Sequence, residues 1–305
     1  MGSPELAVEP LHALVRVGHE IVVVITQPDK RRGRGGGLQP TPVKRAAVEL
    51  GLPVSERIRD AIDLGAEIGV VVAFGKLIKA DVLSCIPMVN VHLSLLPRWR
   101  GAAPVEWAIL SGDTETGVSI MALDEGLDTG PLYAVRRVKI GCSESAAELA
   151  DRLIAEGSEL LLEVLRNGLS DPVPQIGEAT YAPKITVEDL QIDWNASVAD
   201  IVRKTRLGRA WSMFRGHRLK VLQAMEPMHP CEDQVKLLPT GHGSSLSETS
   251  YIEPGRVRIL GRAVLIGAGT GIVQLLKVQP EGRPVMTAEE WARGARFMSD
   301  ERLGA

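Results

Sequence analysis

Three apolar, β-branched runs, residues 21–25, 68–73 and 89–92, constrain the fold of this 305-residue chain more than any other feature. The first two runs are apolar at nearly every position rather than at alternate ones, so they have to be buried on both faces, and in the third two valines alternate with Asn90 and His92. Stretches with helical spacing lie between the runs, around residues 4–17, 42–50 and 76–84. Continuous apolar strands separated by helices build a parallel sheet covered on both sides. The first part of the chain is therefore an open, mostly parallel, Rossmann-like α/β domain. Residues 116–123 and 131–140 read as two further strands joined by a polar glycine loop, Asp124 to Gly130. Residues 143–167 read as a long helix that starts at Ser143 and stops before Gly168.

The length suggests about two domains, and a 45% hydrophobic composition is enough to give each a core. Residues 1–169 form the first domain. Residues 170–186 contain Pro172, Pro174, Gly177 and Pro183 with little periodicity and read as a linker. Residues 187–305 follow, with one helix around 197–204 and short strands near 218–224, 255–259, 263–266 and 272–278. The glycines Gly267, Gly269 and Gly271 follow an apolar run as in a dinucleotide loop. Another strand comes next rather than a helix, so a hairpin turn is expected. A small antiparallel barrel fits this pattern. Residues 230–250, rich in Ser, Gly and Thr, read as a loop within it.

No apolar run reaches the length of a membrane span. Glu5 and Glu9 fall where a signal peptide would need a basic and then an apolar stretch, so a cytoplasmic location is expected. Cys85, Cys142 and Cys231 are odd in number and widely spaced, without metal-ligand spacing. Reduced thiols and no metal are the expectation. The net charge of −3 is unevenly spread: residues 1–186 carry 19 basic and 24 acidic side chains, and residues 187–305 carry 16 and 14. Lys30, Arg31, Arg32, Arg34, Lys44 and Arg45 stand together without an acid. So do Arg203, Lys204, Arg206, Arg209, Arg215, Arg218 and Lys220. Two such segments suit a phosphate backbone; a solvated basic loop and a basic helix face are the other reading.

Candidate chemistry lies at Asn90, His92 and Asp128. Residues i and i+2 of a strand point to one side, so Asn90 and His92 can face one substrate. An asparagine amide donates to an oxygen that gains negative charge, and a neutral imidazole takes a proton from an attacking amine. A carboxylate beside the imidazole orients it and favours the imidazolium that forms. These are the parts needed to move an acyl group without a covalent intermediate.

At these residues the chain resembles the folate-dependent formyltransferases. The resemblance is carried by Gly2-Ser3-Pro4, Thr26-Gln27-Pro28-Asp29, Gly33-Arg34-Gly35 and Asn90-Val91-His92, then by residues 94–104, 126–130, 180–185 and 192–194, and near the end by residues 275–280 and 282–286. It spans essentially the whole chain and is strongest to the branch acting on tRNA. It implies formyl transfer from 10-formyltetrahydrofolate to the amino group of methionine on initiator tRNA, by a monomer without metal. It further implies Asn90, His92 and Asp128 as catalytic, with Ser94, Leu95, Leu96 and Pro97 holding the folate. Lys30, Arg31, Arg32 and Arg34 would bind tRNA, and an OB-like fold is implied for residues 187–305. An amino-sugar N-formyltransferase and a catalytically silent RNA-binding protein are the alternatives.

Two departures from the family pattern stand out. The family opens with a hydrophobic strand before the turn matched by Gly2-Ser3-Pro4, whereas here Met1 stands directly before Gly2. A central strand is then missing, which leaves two strand edges unpaired. The expectation is that Met1 is internal to a longer chain and that the 305-residue form is poorly soluble. Around Leu207-Gly208-Arg209-Ala210-Trp211 the chain also lacks the family's proline-flanked tryptophan turn, with Trp211 left as the packing residue.

Overall fold

A computed structural model describes residues 1–31, 37–169, 171–227, 251–298 and 300–304. The chain divides into two compact units, one of Met1–Trp107, Glu115–Lys139 and Leu149–Lys184, the other of Ala108–Thr114, Ile140–Glu148 and Ile185–Ala305.

In the first unit the strand Met88–His92 is buried at all five positions, the polar Asn90 and His92 included. Gly69–Val71 pairs with it in parallel on one edge and Glu115–Ala122 antiparallel on the other, and Leu132–Lys139 completes the order. The sheet is mixed because the loop at residues 124–130 turns the chain straight back, which only an antiparallel pair permits. The long helix, Ala146–Asn167, packs beneath it. Gly157 makes this approach possible, since a Cβ there would lie 2.9 Å from Val91 and 3.0 Å from Val118. The helix begins three residues later than expected, behind Ser145, whose hydroxyl accepts from the Glu148 amide while the Glu148 carboxylate accepts from the Ser145 amide.

Of residues 21–25 only Val24–Ile25 forms a strand, in parallel with Val54–Ser55. Met1 and Gly2 link this short sheet to the larger one. The Gly2 amide donates to the Ile25 carbonyl at 3.0 Å, Gly2 bridges Val72 in parallel, and the Val72 amide donates to the Met1 carbonyl at 2.9 Å. The Met1 ammonium reaches the Val70 carbonyl at 2.6 Å, and burial pushes it down to about 5 from its usual 8.0. The gap between Val24–Ile25 and Gly69–Val71 is thus bridged at one end by Met1–Gly2. The rest is a cavity of about 660 Å³ bounded by residues 20–25 and 67–70 with Leu11, Leu14 and Leu165.

The segment expected as a linker is held down along much of its length. Val173 pairs with Leu132 through two 2.8 Å backbone bonds, and Tyr181–Ala182 pairs in parallel with Arg100–Gly101. Helical spacing around 76–84 yields only one turn, Ala80–Leu83.

The second unit is a six-stranded, antiparallel sheet in the order Trp211–Phe214, His217–Met225, Gly271–Pro280, Ala263–Ala268, Val257–Leu260, with Met286–Thr287 added to Gly271–Pro280. Gly269 and Thr270 form the hairpin turn between Ala268 and Gly271, in agreement with the sequence. Helices Val198–Thr205 and Ala288–Ala295 cover a core that includes Trp194, Ile201, Val221, Val264 and Trp291. Trp211 does pack, donating from Nε1 to the Val187 carbonyl at 2.9 Å under the Arg218 guanidinium, 4.1 Å away. Residues 230–250 lie outside the described residues. Cys85 is free, whereas Cys142 is disulfide-bonded, a departure from the reduced thiols expected.

Candidate active site

The end of the Met88–His92 strand brings Asn90 and His92 to one side of the sheet, both with less than a tenth of their surface exposed. The ring of His92 is fixed by a backbone atom: Nε2 lies 2.9 Å from the Trp99 carbonyl oxygen. A carbonyl oxygen only accepts, so Nε2 carries the proton and the neutral ring leaves its lone pair on Nδ1. That lone pair faces the Asp128 carboxylate, with Oδ2 3.7 Å away. The distance is too long for a hydrogen bond. Asp128 thus lies beside His92 without bonding to it, and the ring is held by the Trp99 carbonyl.

Two loops are bent hard to make this arrangement. Trp99 and Asp128 both adopt left-handed backbone, at φ 62° and 53°, a conformation that costs a side-chain-bearing residue roughly 1–3 kcal/mol. The surroundings hold them there. The Trp99 amide donates to the Thr180 hydroxyl at 2.9 Å, and the Gly101 amide donates to Asp128 Oδ2 at 2.8 Å. Gly130 has no room for a side chain, because a Cβ would sit 1.8 Å from the Ala122 carbonyl oxygen. Gln175 joins the two loops, accepting from Arg100 through Oε1 and donating from Nε2 to the carbonyls of Asp128 and Gly130 at 2.9 and 2.8 Å.

Ser94, Leu95, Leu96 and Pro97 form the wall beside His92. The Ser94 hydroxyl donates to the Arg98 carbonyl at 2.5 Å, and the Ser119 hydroxyl bridges the Ser94 carbonyl and the Leu96 amide. Ser94 is fully buried and Leu96 nearly so, so the segment offers a rigid apolar edge.

The cationic segments fare differently. Lys30 and Arg31 pair as a short, exposed strand with Leu38–Gln39; Arg32 and Arg34 lie outside the described residues. Lys44 is bonded to Asp29 at 2.7 Å. Of the seven cations between 203 and 220, Arg203 meets Asp200, Arg215 meets Glu301, Lys204 donates to the Gln191 carbonyl, and Arg206 donates to the carbonyls of Glu144 and Gly141. Three of these seven cations, Lys204, Arg206 and Arg215, are thus engaged by partners distant in sequence, and Arg203 by an acid three residues away.

Thr180, Gln175 and the Trp99 carbonyl escaped the sequence reading. Thr180 lies in a family-like segment, but nothing in its spacing pointed to the loop after His92. Gln175 acts through its side-chain amide from a stretch without periodicity, and the Trp99 carbonyl is a backbone oxygen, which carries no residue signature.

Residues 2–165 match the formyl transferase family, and residues 184–296 match the formyl transferase C-terminal domain. The chain belongs to the formyl transferase family. Among curated members of this family it is 44% identical to the methionyl-tRNA formyltransferase of Thermus thermophilus, over 99% of this chain and 97% of the relative. To that of Heliobacterium modesticaldum it is 39% identical, over 100% and 98%. Among solved structures, the N-formyltransferase from Helicobacter canadensis, bound to folinic acid and dTDP-3-aminofucose, has a TM-score of 0.65 at 17% identity, covering 92% of this chain and 97% of that one. That similarity concerns the formyl transferase fold alone.

Proposed function

We propose that this chain transfers the formyl group of 10-formyltetrahydrofolate to the amino group of methionine esterified to initiator tRNA. The observation that carries the reading is the near-full-length identity of 39–44% to methionyl-tRNA formyltransferases, joined to a site with an amide, an oriented imidazole and a carboxylate on one face. His92 Nδ1 takes a proton from the methionyl nitrogen as that nitrogen bonds to the formyl carbon. Asn90 donates to the oxygen that becomes negative in the tetrahedral intermediate. The Asp128 charge stabilises the imidazolium at the same moment. Breaking the bond from the formyl carbon to N10 of the folate then returns the electron pair to N10, with the proton delivered from His92. Ser94 to Pro97 form the rigid edge against which the pterin rests, and Lys30, Arg31, Arg32 and Arg34 meet tRNA phosphates. Every group in the scheme comes from one chain, which supports a monomer. A charged tRNA as substrate supports a cytoplasmic reaction.

The test is formyl acceptance by the purified chain, with methionyl-tRNA in one reaction and a nucleotide-linked amino sugar in another. Turnover on methionyl-tRNA is expected. Preference for the sugar would assign the chain to the amino-sugar branch, and absence of transfer to both would leave an RNA-binding role.

A further inference from the structure

We infer that Gln175 is a positioning residue for catalysis, one that sets the Asp128 carboxylate against His92. This rests on the roles proposed above for Asp128 and His92. The amide of Gln175 makes four hydrogen bonds and has no group to spare. Oε1 accepts from Arg100 Nε at 3.1 Å and Nη2 at 2.6 Å, and the two hydrogens of Nε2 go to the carbonyls of Asp128 and Gly130. Turning the amide over would set its N–H groups against a guanidinium and its oxygen against two carbonyls, so its orientation is fixed by chemistry.

The bonds close a ring through the site. Gln175 holds Arg100, the next residue Gly101 donates its amide to Asp128 Oδ2 at 2.8 Å, and the carbonyl of Asp128 returns to Gln175. Asp128 sits at φ 53°, a conformation it leaves unless held. Relaxation of that backbone swings the carboxylate away from the His92 ring, 3.7 Å from it now.

Packing is a minor part of what Gln175 does. Its neighbours Val173 and Ile176 are 59% and 84% exposed. The backbone on either side is pinned independently by the Val173–Leu132 bridge and the Tyr181–Ala182 pairing. Removing the side chain should leave the segment in place and loosen only the loop it grips.

The experiment compares Gln175→Ala, Gln175→Glu and Asp128→Asn in the full chain, reading kcat, KM for folate and methionyl-tRNA, and melting temperature, with the double variant Gln175→Ala/Asp128→Asn closing a cycle. Gln175→Ala should lower kcat by roughly thirtyfold, the range for a displaced catalytic group, with both KM values and the melting temperature close to those of the parent. Gln175→Glu keeps an acceptor for Arg100 but points oxygen at two carbonyls. It should be at least as slow, which separates the grip on Asp128 from the contact with Arg100. In the Asp128→Asn background, Gln175→Ala should cost little more. A severe Asp128→Asn with Gln175→Ala near parental kcat, or additive losses in the cycle, would overturn the role of Gln175. A silent Asp128→Asn would overturn the Asp128 assignment itself, and the role of Gln175 with it.

Discussion

The two flanks of the first unit's sheet are finished to different standards. On one flank Met88–His92 has a hydrogen-bonded strand along each edge, and the loops beyond it are tied by the Trp99–Thr180 and Gln175–Asp128 hydrogen bonds. On the other, residues 20–25 and 67–70 border a cavity of about 660 Å³, bridged at one end by Met1 and Gly2. The geometry of the site is therefore set by short circuits of hydrogen bonds within two loops, and does not require an unbroken sheet behind them. Catalysis and stability should respond to different substitutions.

The sharpest separation is expected from His92→Ala. Losing the base should reduce kcat by roughly a hundredfold or more, while thermal unfolding stays near that of the parent; kinetics and a melting curve on one preparation check both halves. Asp128→Asn keeps an acceptor for the Gly101 amide but removes the charge beside His92, and a loss of about tenfold to a hundredfold in kcat is expected from steady-state rates. The hollow flank should behave in the opposite way. Fusing an extended apolar segment of about five residues ahead of Met1 should raise the melting temperature by several degrees through filled volume and paired edges, with kcat unchanged. An unchanged melting temperature would break the comparison.

A subtler probe of the same flank is pH. The Met1 amine is neutral in the folded chain down to about pH 5, whereas an unfolded chain's amine binds a proton near pH 8. Between those values the unfolded state holds the extra proton, so this group's contribution makes stability fall as pH drops from about 8 to about 5 and level off below. Denaturant midpoints across that range test it, and acetylation of the α-amine should flatten the curve. The smallest effect belongs to the exposed pair Lys30 and Arg31. Neutralising both should reduce the salt slope of tRNA binding by about 0.7 to 0.9 for each phosphate no longer neutralised, without changing kcat or melting temperature.

Much of this was legible in the sequence because it rested on local pattern. The strand-like Met88–His92 run, the Gly269-Thr270 hairpin and the i, i+2 placement of Asn90 and His92 each need only a few adjacent residues to be recognised. What stayed hidden depends on interactions between residues distant along the chain. Gln175 sits among prolines and glycine in a stretch without periodicity, and its partners are backbone carbonyls at 128 and 130. The orientation of His92 likewise comes from a carbonyl, which every residue possesses. Among the cations from 203 to 220, Arg215 finds Glu301, an acid that no local window contains. The bridging of Ile25 and Val72 by Met1 and Gly2 was not legible either.

The bond from His92 to the Trp99 carbonyl has a consequence for how this enzyme's mutational landscape is read. An oxygen of the main chain is present whatever side chain residue 99 bears, so an alanine scan passes over the partner that fixes the base and credits the effect to neighbours. Only backbone editing reports on it. Replacing the peptide link between Trp99 and Arg100 with an ester weakens that oxygen as an acceptor and leaves every side chain as it was, while also removing the Arg100 N–H that donates to the Thr180 carbonyl at 2.9 Å.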